Sequence, residues 1–156
     1  MIDIIVKKAT VDNAVIVGTL VYKLLYELLP EKYRRANSES VLESARRLIG
    51  SGAVYAFLTK TKSNTPSSVV TLNGCASIYA RGYFGKICEL YVEPAYRSDG
   101  VGTKLRDAVR AFGLTLDWSY LEVGAIPLPH WQRTLNFYMS YGFRSKGFRL
   151  SIGLAK

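Results

Sequence analysis

"ELYVEPAYRSDGVGTKL", Glu89 to Leu105, decides how the rest of the chain is read. An apolar, strand-like run ends at Pro94, and a helix-like run with Val101, Leu105, Ala108, Val109 and Phe112 on one face begins near Gly100. Arg97, Gly100 and Gly102 at the turn spell R-x-x-G-x-G. Two common phosphate loops fail on residues. A Walker A loop needs a glycine five before Gly102 and a lysine directly after it, and here Thr103 precedes Lys104. A dinucleotide fingerprint needs a third glycine where Leu105 stands. What remains is a turn whose small residues let the backbone approach a ligand. Its successive N–H groups, the positive end of the following helix and the charge of Arg97 all suit a polyphosphate. An ordinary glycine-containing turn before a helix is the competing reading.

Outward from this turn, the chain reads as one mixed α/β domain over residues 1–156. Ile2 to Lys8 is a first strand. Asp12 or Asn13 caps a helix that runs to about Leu29, where Pro30 stops it. A polar connector leads to a second helix from Ser38, with Val41, Leu42, Ala45, Leu48 and Ile49 at helical spacing, ended by Gly50 and Gly52. Residues 53–61 and 69–80 are strands, the second interrupted by a bulge at Asn73-Gly74. Residues 86–92 form another strand, and a helix runs from about Gly100 to Asp117. A strand at 119–125 is broken off by Pro127-Leu128-Pro129. A helix at 131–143 closes at Gly142, and 148–155 is a final strand.

The composition limits the partners. With 156 residues, 49% apolar and 21% charged, the chain is long and apolar enough to bury a core. Its formal charge of +9 favours an anionic ligand, but the basic residues are scattered and no nucleic-acid motif accompanies them. Two cysteines, Cys75 and Cys88, are too few for a disulfide framework and are expected reduced and buried. The apolar run 14–29 carries Lys23 and Glu27 and is shorter than the ~20 residues of a membrane span. A cytoplasmic protein is expected, without a metal, because a single histidine, His130, makes no metal site.

The run 89–105 resembles the central motif of the GCN5-related N-acetyltransferase (GNAT) superfamily, and "NFYMSYGF" (136–143) resembles its second signature. The resemblance implies a central, mostly antiparallel twisted sheet of about six to seven strands flanked by about four helices, splayed between the fourth and fifth strands. It implies acetyl-CoA as cosubstrate. The backbone of Leu90, Tyr91 and Val92 would pair with the pantetheine arm. The N–H groups of Arg97, Ser98, Asp99, Gly100, Val101, Gly102 and Thr103 would hold the pyrophosphate. Tyr138 would be the general acid that protonates the departing thiolate. Glu89 is the candidate base for the amine, with Glu93 and Glu122 in reserve. Where many members carry a pantetheine-contacting asparagine, seven residues before the tyrosine, this chain has Trp131, and Asn136 is the nearest asparagine.

The first two helices would form the acceptor lid, with Tyr22, Tyr26, Glu27 and Tyr33 as candidates. Lys32, Arg34 and Arg35 nearby disfavour a strongly cationic acceptor. A small-molecule or peptide amine is therefore the expected partner, with a homodimer compatible. Two rivals belong to other classes: a catalytically silent acyl-CoA sensor, and a basic nucleic-acid-binding domain.

Overall fold

The computed structural model describes residues 3–34, 38–124, 131–147 and 149–154, and the chain divides into two compact units, residues 1–122 and 123–156. In the first unit, β1 (Ile4–Lys8) leads to a single 3-10 turn at Val11–Asn13. There the Asn13 side chain accepts the Thr10 N–H at 3.0 Å, and α1 (Ala14–Leu28) follows. Pro30 does end α1, but it also starts α2 (Pro30–Tyr33), because a residue with fixed φ and no N–H suits the first helical position. Next come α3 (Glu39–Gly50), β2 (Tyr55–Thr61), β3 (Pro66–Ser77), β4 (Gly82–Val92), α4 (Val101–Thr115) and β5 (Leu121–Val123). The sheet order is β1-β2-β3-β4-β5, with antiparallel pairing from β1 through β4. A helix-bearing crossover, the connection a parallel neighbour requires, joins β4 to β5.

Cross-strand pairing assigns the faces. Ala56, Leu58, Val69 and Tyr91 pack with Val17, Leu20, Val21 and Leu24 of α1. The opposite face carries Tyr55, Phe57, Val70, Leu72 and Ile87, with Phe112 of α4 edge-on to Tyr55 and Phe57 at 4.8 and 5.4 Å. Both faces are covered, which is why β3 is buried continuously from Ser67 to Leu72.

Three expectations need correction. The described residues form five strands rather than six or seven. Residues 149–154 have the apolar alternation of a strand, yet Leu150, Ile152 and Leu154 are almost fully exposed, because alternation marks a face without supplying a neighbour to bond. Second, β3 runs unbroken through Asn73 and Gly74. Gly74 pairs with Gly85, and the Trp118 ring lies against both. A Cβ on Gly85 would come within 2.3 Å of that ring. The bulges lie elsewhere: Ser67 is the extra residue of β3 against β2, and Cys88 that of β4 against β3. Third, Cys88 is exposed and Cys75 only half-buried, since a bulge turns its extra residue out of the ladder.

The second unit contains α5 (Gln132–Ser140), closed by Gly142 at φ +91°, where left-handed backbone favours glycine. The Phe143 N–H donates to the Tyr138 carbonyl at 3.2 Å. Pro127-Leu128-Pro129, His130 and Arg35 lie outside the described residues.

Candidate active site

After β4, the Glu93 N–H donates to the Ser67 carbonyl at 2.9 Å, and a 3-10 turn over Pro94–Tyr96 redirects the chain. The Arg97 N–H is used inside this turn, donating to the Pro94 carbonyl at 3.3 Å. Ser98 and Gly100 both take left-handed backbone, at φ +74° and +77°. Such alternation turns neighbouring amides toward one side. A Cβ on Gly100 would meet nothing within 4 Å, so the glycine is needed for its conformation and not for space. The first helical bond of α4 runs from the Lys104 N–H to the Gly100 carbonyl at 3.2 Å. The amides of Val101, Gly102 and Thr103 therefore precede the helical ladder, at the positive end of a fifteen-residue helix. Ser98, Asp99 and Gly100 are exposed.

The Arg97 side chain reaches across to α1 and stays partly exposed. Its Nε donates to the Val92 carbonyl at 2.9 Å, and its two terminal nitrogens hold both oxygens of Glu27 at 3.0 and 2.8 Å. The guanidinium also lies over the Tyr91 ring, 5.6 Å from its centre. Arg97 thus links the end of β4 to α1 as a planar, bidentate clamp. Glu27, expected as a lid residue, is the other half of that clamp.

An open pocket of about 540 Å³ lies beside it, lined by Tyr22, Lys23, Tyr26, Glu27, Pro30 and Tyr91. Tyr22 and Tyr26, and likewise Lys23 and Glu27, are one helical turn apart, which puts all four on neighbouring rows of α1. Three of the four lid candidates meet here. The fourth, Tyr33, supports the wall: its carbonyl accepts the Tyr22 hydroxyl at 2.8 Å, and the two rings meet edge-on. Lys23 pairs with Glu93, whose other oxygen accepts the Tyr91 hydroxyl at 3.3 Å. Burial, helped by Glu93 and Glu27, pushes the Tyr91 phenol up to about 12. Glu93, a reserve base, is therefore committed to an ion pair, while Glu122 is exposed.

Glu89 follows the Cys88 bulge and shares the α1 face with Tyr91, two residues further along β4. The Thr71 hydroxyl opposite donates to its carboxylate and accepts the Glu89 N–H at 3.1 Å, in place of a ladder bond. Burial holds the Glu89 carboxyl above the ordinary glutamate value. Sequence reasoning named Glu89 but missed Thr71, whose relevance depends on strand register. It also missed Lys23 and Pro30, which only the fold brings to the pocket.

In the second unit, Tyr138 is 8% exposed, with Phe137 and Phe143 edge-on at 5.3 and 5.2 Å. Burial raises its phenol pKa, so the proton stays on at neutral pH. Asn136 is exposed and accepts the Gln132 side-chain amide at 2.7 Å. Trp131 caps α5, with the Leu135 N–H donating to its carbonyl at 3.0 Å. Among the described residues, no group of three His, Cys, Asp or Glu could hold a metal ion, and no helix is long and apolar enough to cross a membrane.

Solved structures share this architecture across nearly the whole chain at low identity. A ribosomal-protein-alanine N-acetyltransferase from Brucella melitensis biovar Abortus 2308 aligns over 98% of this chain and 100% of its own, at 16% identity and a TM-score of 0.76. An aminoglycoside acetyltransferase from an uncultured soil metagenomic sample aligns over 98% and 99%, at 17% identity and a TM-score of 0.79. An aminoglycoside N-acetyltransferase in complex with CoA aligns over 99% and 96%, at 12% identity and a TM-score of 0.75. No protein of curated function matches the sequence. Residues 40–145 match the model of the acetyltransferase (GNAT) domain, and the chain belongs to that family.

Proposed function

We propose that residues 1–156 act as one acyltransferase domain that transfers an acetyl group from acetyl-CoA to a primary amine, by direct attack within a ternary complex. The observation that carries this reading is the amide turn from Ser98 to Thr103, left-handed at Ser98 and Gly100, at the head of α4. It fits a pyrophosphate by conformation and by dipole. Leu90, Tyr91 and Val92 would offer backbone groups to the pantetheine arm. The thioester supplies the activated acetyl group.

Glu89 takes a proton from the acceptor ammonium, directly or through one water, and leaves a neutral amine to attack. Burial raises its pKa, which narrows the gap to an amine's ~10. Tyr138, protonated at neutral pH, gives its proton to the departing thiolate, and the second proton, shed by the nitrogen as the tetrahedral adduct collapses, passes through solvent to restore the phenol. A reaction of this donor fits the cytoplasm.

The test is thermal unfolding with acetyl-CoA, with ATP and NADH as controls and Gly100→Val, which disfavours the left-handed turn, alongside. Ligand at a hundred times its Kd adds ~2.7 kcal/mol, which moves the midpoint by several degrees. A shift with acetyl-CoA alone, reduced in the variant, is the expected result. An equal shift with ATP, or none at saturating acetyl-CoA, overturns the reading.

A further inference from the structure

The pocket beside Glu27 has walls and charges that select a kind of acceptor. We infer that the acceptor is a monoamine carried on an aromatic group, with its ring received among Tyr22, Tyr26, Pro30 and Tyr91 and its single ammonium directed along β4 toward Glu89. This rests on the transferase reading above and names the substrate class of that same site.

Three observations support it. The first is the lining: three tyrosines and a proline line an open depression of about 540 Å³, large enough to receive a small ring. Tyr26 is 42% exposed and presents ring to the opening, so an aromatic ligand gains edge or offset contacts beyond simple burial.

The second is charge balance. Glu27 is held bidentate by Arg97, and Glu93 is paired with Lys23. Two carboxylates and two cations cancel around the pocket. A polyamine or amino sugar carrying several charges needs unpaired carboxylates. Here it would have to displace Arg97 or Lys23 and then face the cation it displaced. The fold is shared with aminoglycoside acetyltransferases, but this pocket does not suit an aminoglycoside.

The third is spacing. Tyr91 and Glu89 are two residues apart on one face of β4, a rise of about 6.6–6.8 Å along a strand. Tyr91 is only 6% exposed, so the ring rests mainly on Tyr26 at that end of the pocket; an amine two carbons away covers part of the distance to Glu89, and one water completes it.

The experiment measures loss of thioester absorbance with acetyl-CoA, because the exposed Cys88 would itself react with a thiol reagent. The acceptors are 2-phenylethylamine, n-butylamine, spermine, kanamycin and a tripeptide beginning with alanine. Calorimetry of acetyl-CoA binding runs in parallel. The expected result is a kcat/KM for 2-phenylethylamine at least ~10-fold above each of the others, since one well-fitted apolar group discriminates by roughly 10–200-fold. Tyr26→Ala should remove that advantage while acetyl-CoA binding is retained, and Tyr26→Phe should preserve it. The inference is overturned if spermine, kanamycin or the peptide is preferred, or if n-butylamine matches 2-phenylethylamine. It is equally overturned if Tyr26→Ala slows all amines alike, or if 2-phenylethylamine is inert while acetyl-CoA binds. Absence of acetyl-CoA binding defeats the transferase reading instead.

Discussion

The sheet carries two bulges, and they have opposite surroundings. At Ser67 the extra residue of β3 turns its hydroxyl to Thr59 at 2.7 Å, and Ser68 reaches the same Thr59 oxygen. All three side chains are fully buried and satisfied by one another. At Cys88 the extra residue of β4 is exposed, its thiol donating to the Asn73 side-chain oxygen at 3.1 Å, and the next residue is a half-buried carboxylate held by one hydroxyl. The first bulge closes a small polar cluster inside the fold. The second opens the ladder and replaces a backbone bond with Thr71, whose oxygen serves the Glu89 amide and carboxylate together. The same irregularity consolidates a buried cluster in one place and leaves a half-buried carboxylate beside an open ladder in the other.

Mutations can separate these roles. Glu89→Gln should have the largest effect, a fall in turnover of roughly 10²–10⁴-fold as general-base assistance is lost, measured at saturating acetyl-CoA. Its thermal midpoint at pH 7 should hold or rise. The sign follows from linkage: a carboxyl raised in the folded state contributes stability below its unfolded pKa, and that contribution is lost as pH rises through the folded value. The glutamine variant should lack that decline.

Next in size, Thr59→Val should cost about 1–3 kcal/mol, because it removes the buried partner of the Ser68 hydroxyl and leaves the Ser67 hydroxyl only the Thr59 carbonyl at 3.4 Å. Denaturant unfolding measures this loss, and turnover per folded molecule should be unchanged. A variant that folds normally but turns over slowly would erase the contrast between the bulges.

Thr71→Val should be subtler. Loss of the donor to the Glu89 carboxylate should raise that pKa further, by about one unit for a bond worth ~1.4 kcal/mol. The acidic limb of the pH–rate profile should then move to higher pH. The smallest effect should come from Cys88→Ser, an exposed change expected within about ±0.5 kcal/mol. Alkylation of the native protein followed by mass spectrometry should label Cys88 ahead of Cys75.

What the sequence revealed follows distance along the chain. The turn at 97–103 was legible because closely spaced glycines and a helix start are local facts, while Tyr22 and Tyr26 were named because the family resemblance puts the acceptor lid on the first two helices. The clamp between Glu27 and Arg97 and the pair of Lys23 with Glu93 each join residues seventy positions apart, and no local pattern announces them. Register was equally hidden. The glycine of Asn73-Gly74 suggested a bulge, but its cause is an indole from a segment more than forty residues later. At residues 149–154 the apolar alternation is real, and its pairing is a matter of partners rather than composition.

Trp118 lies against Gly74, Gly85 and Gly113 at once. A methyl group added at Gly85 meets the ring, and one at Gly113 would stand 3.0 Å from it. These four positions therefore cannot drift independently. As long as the indole stays, a side chain gained at Gly85 is an overpacking lesion of about 1–3 kcal/mol. Once the indole is lost, a side chain at Gly74 or Gly113 becomes a repair, while one at Gly85 still meets a Leu121 methyl at 2.8 Å. The order in which descendants of this sequence could change here is fixed by one ring: tryptophan first, those two glycines afterwards.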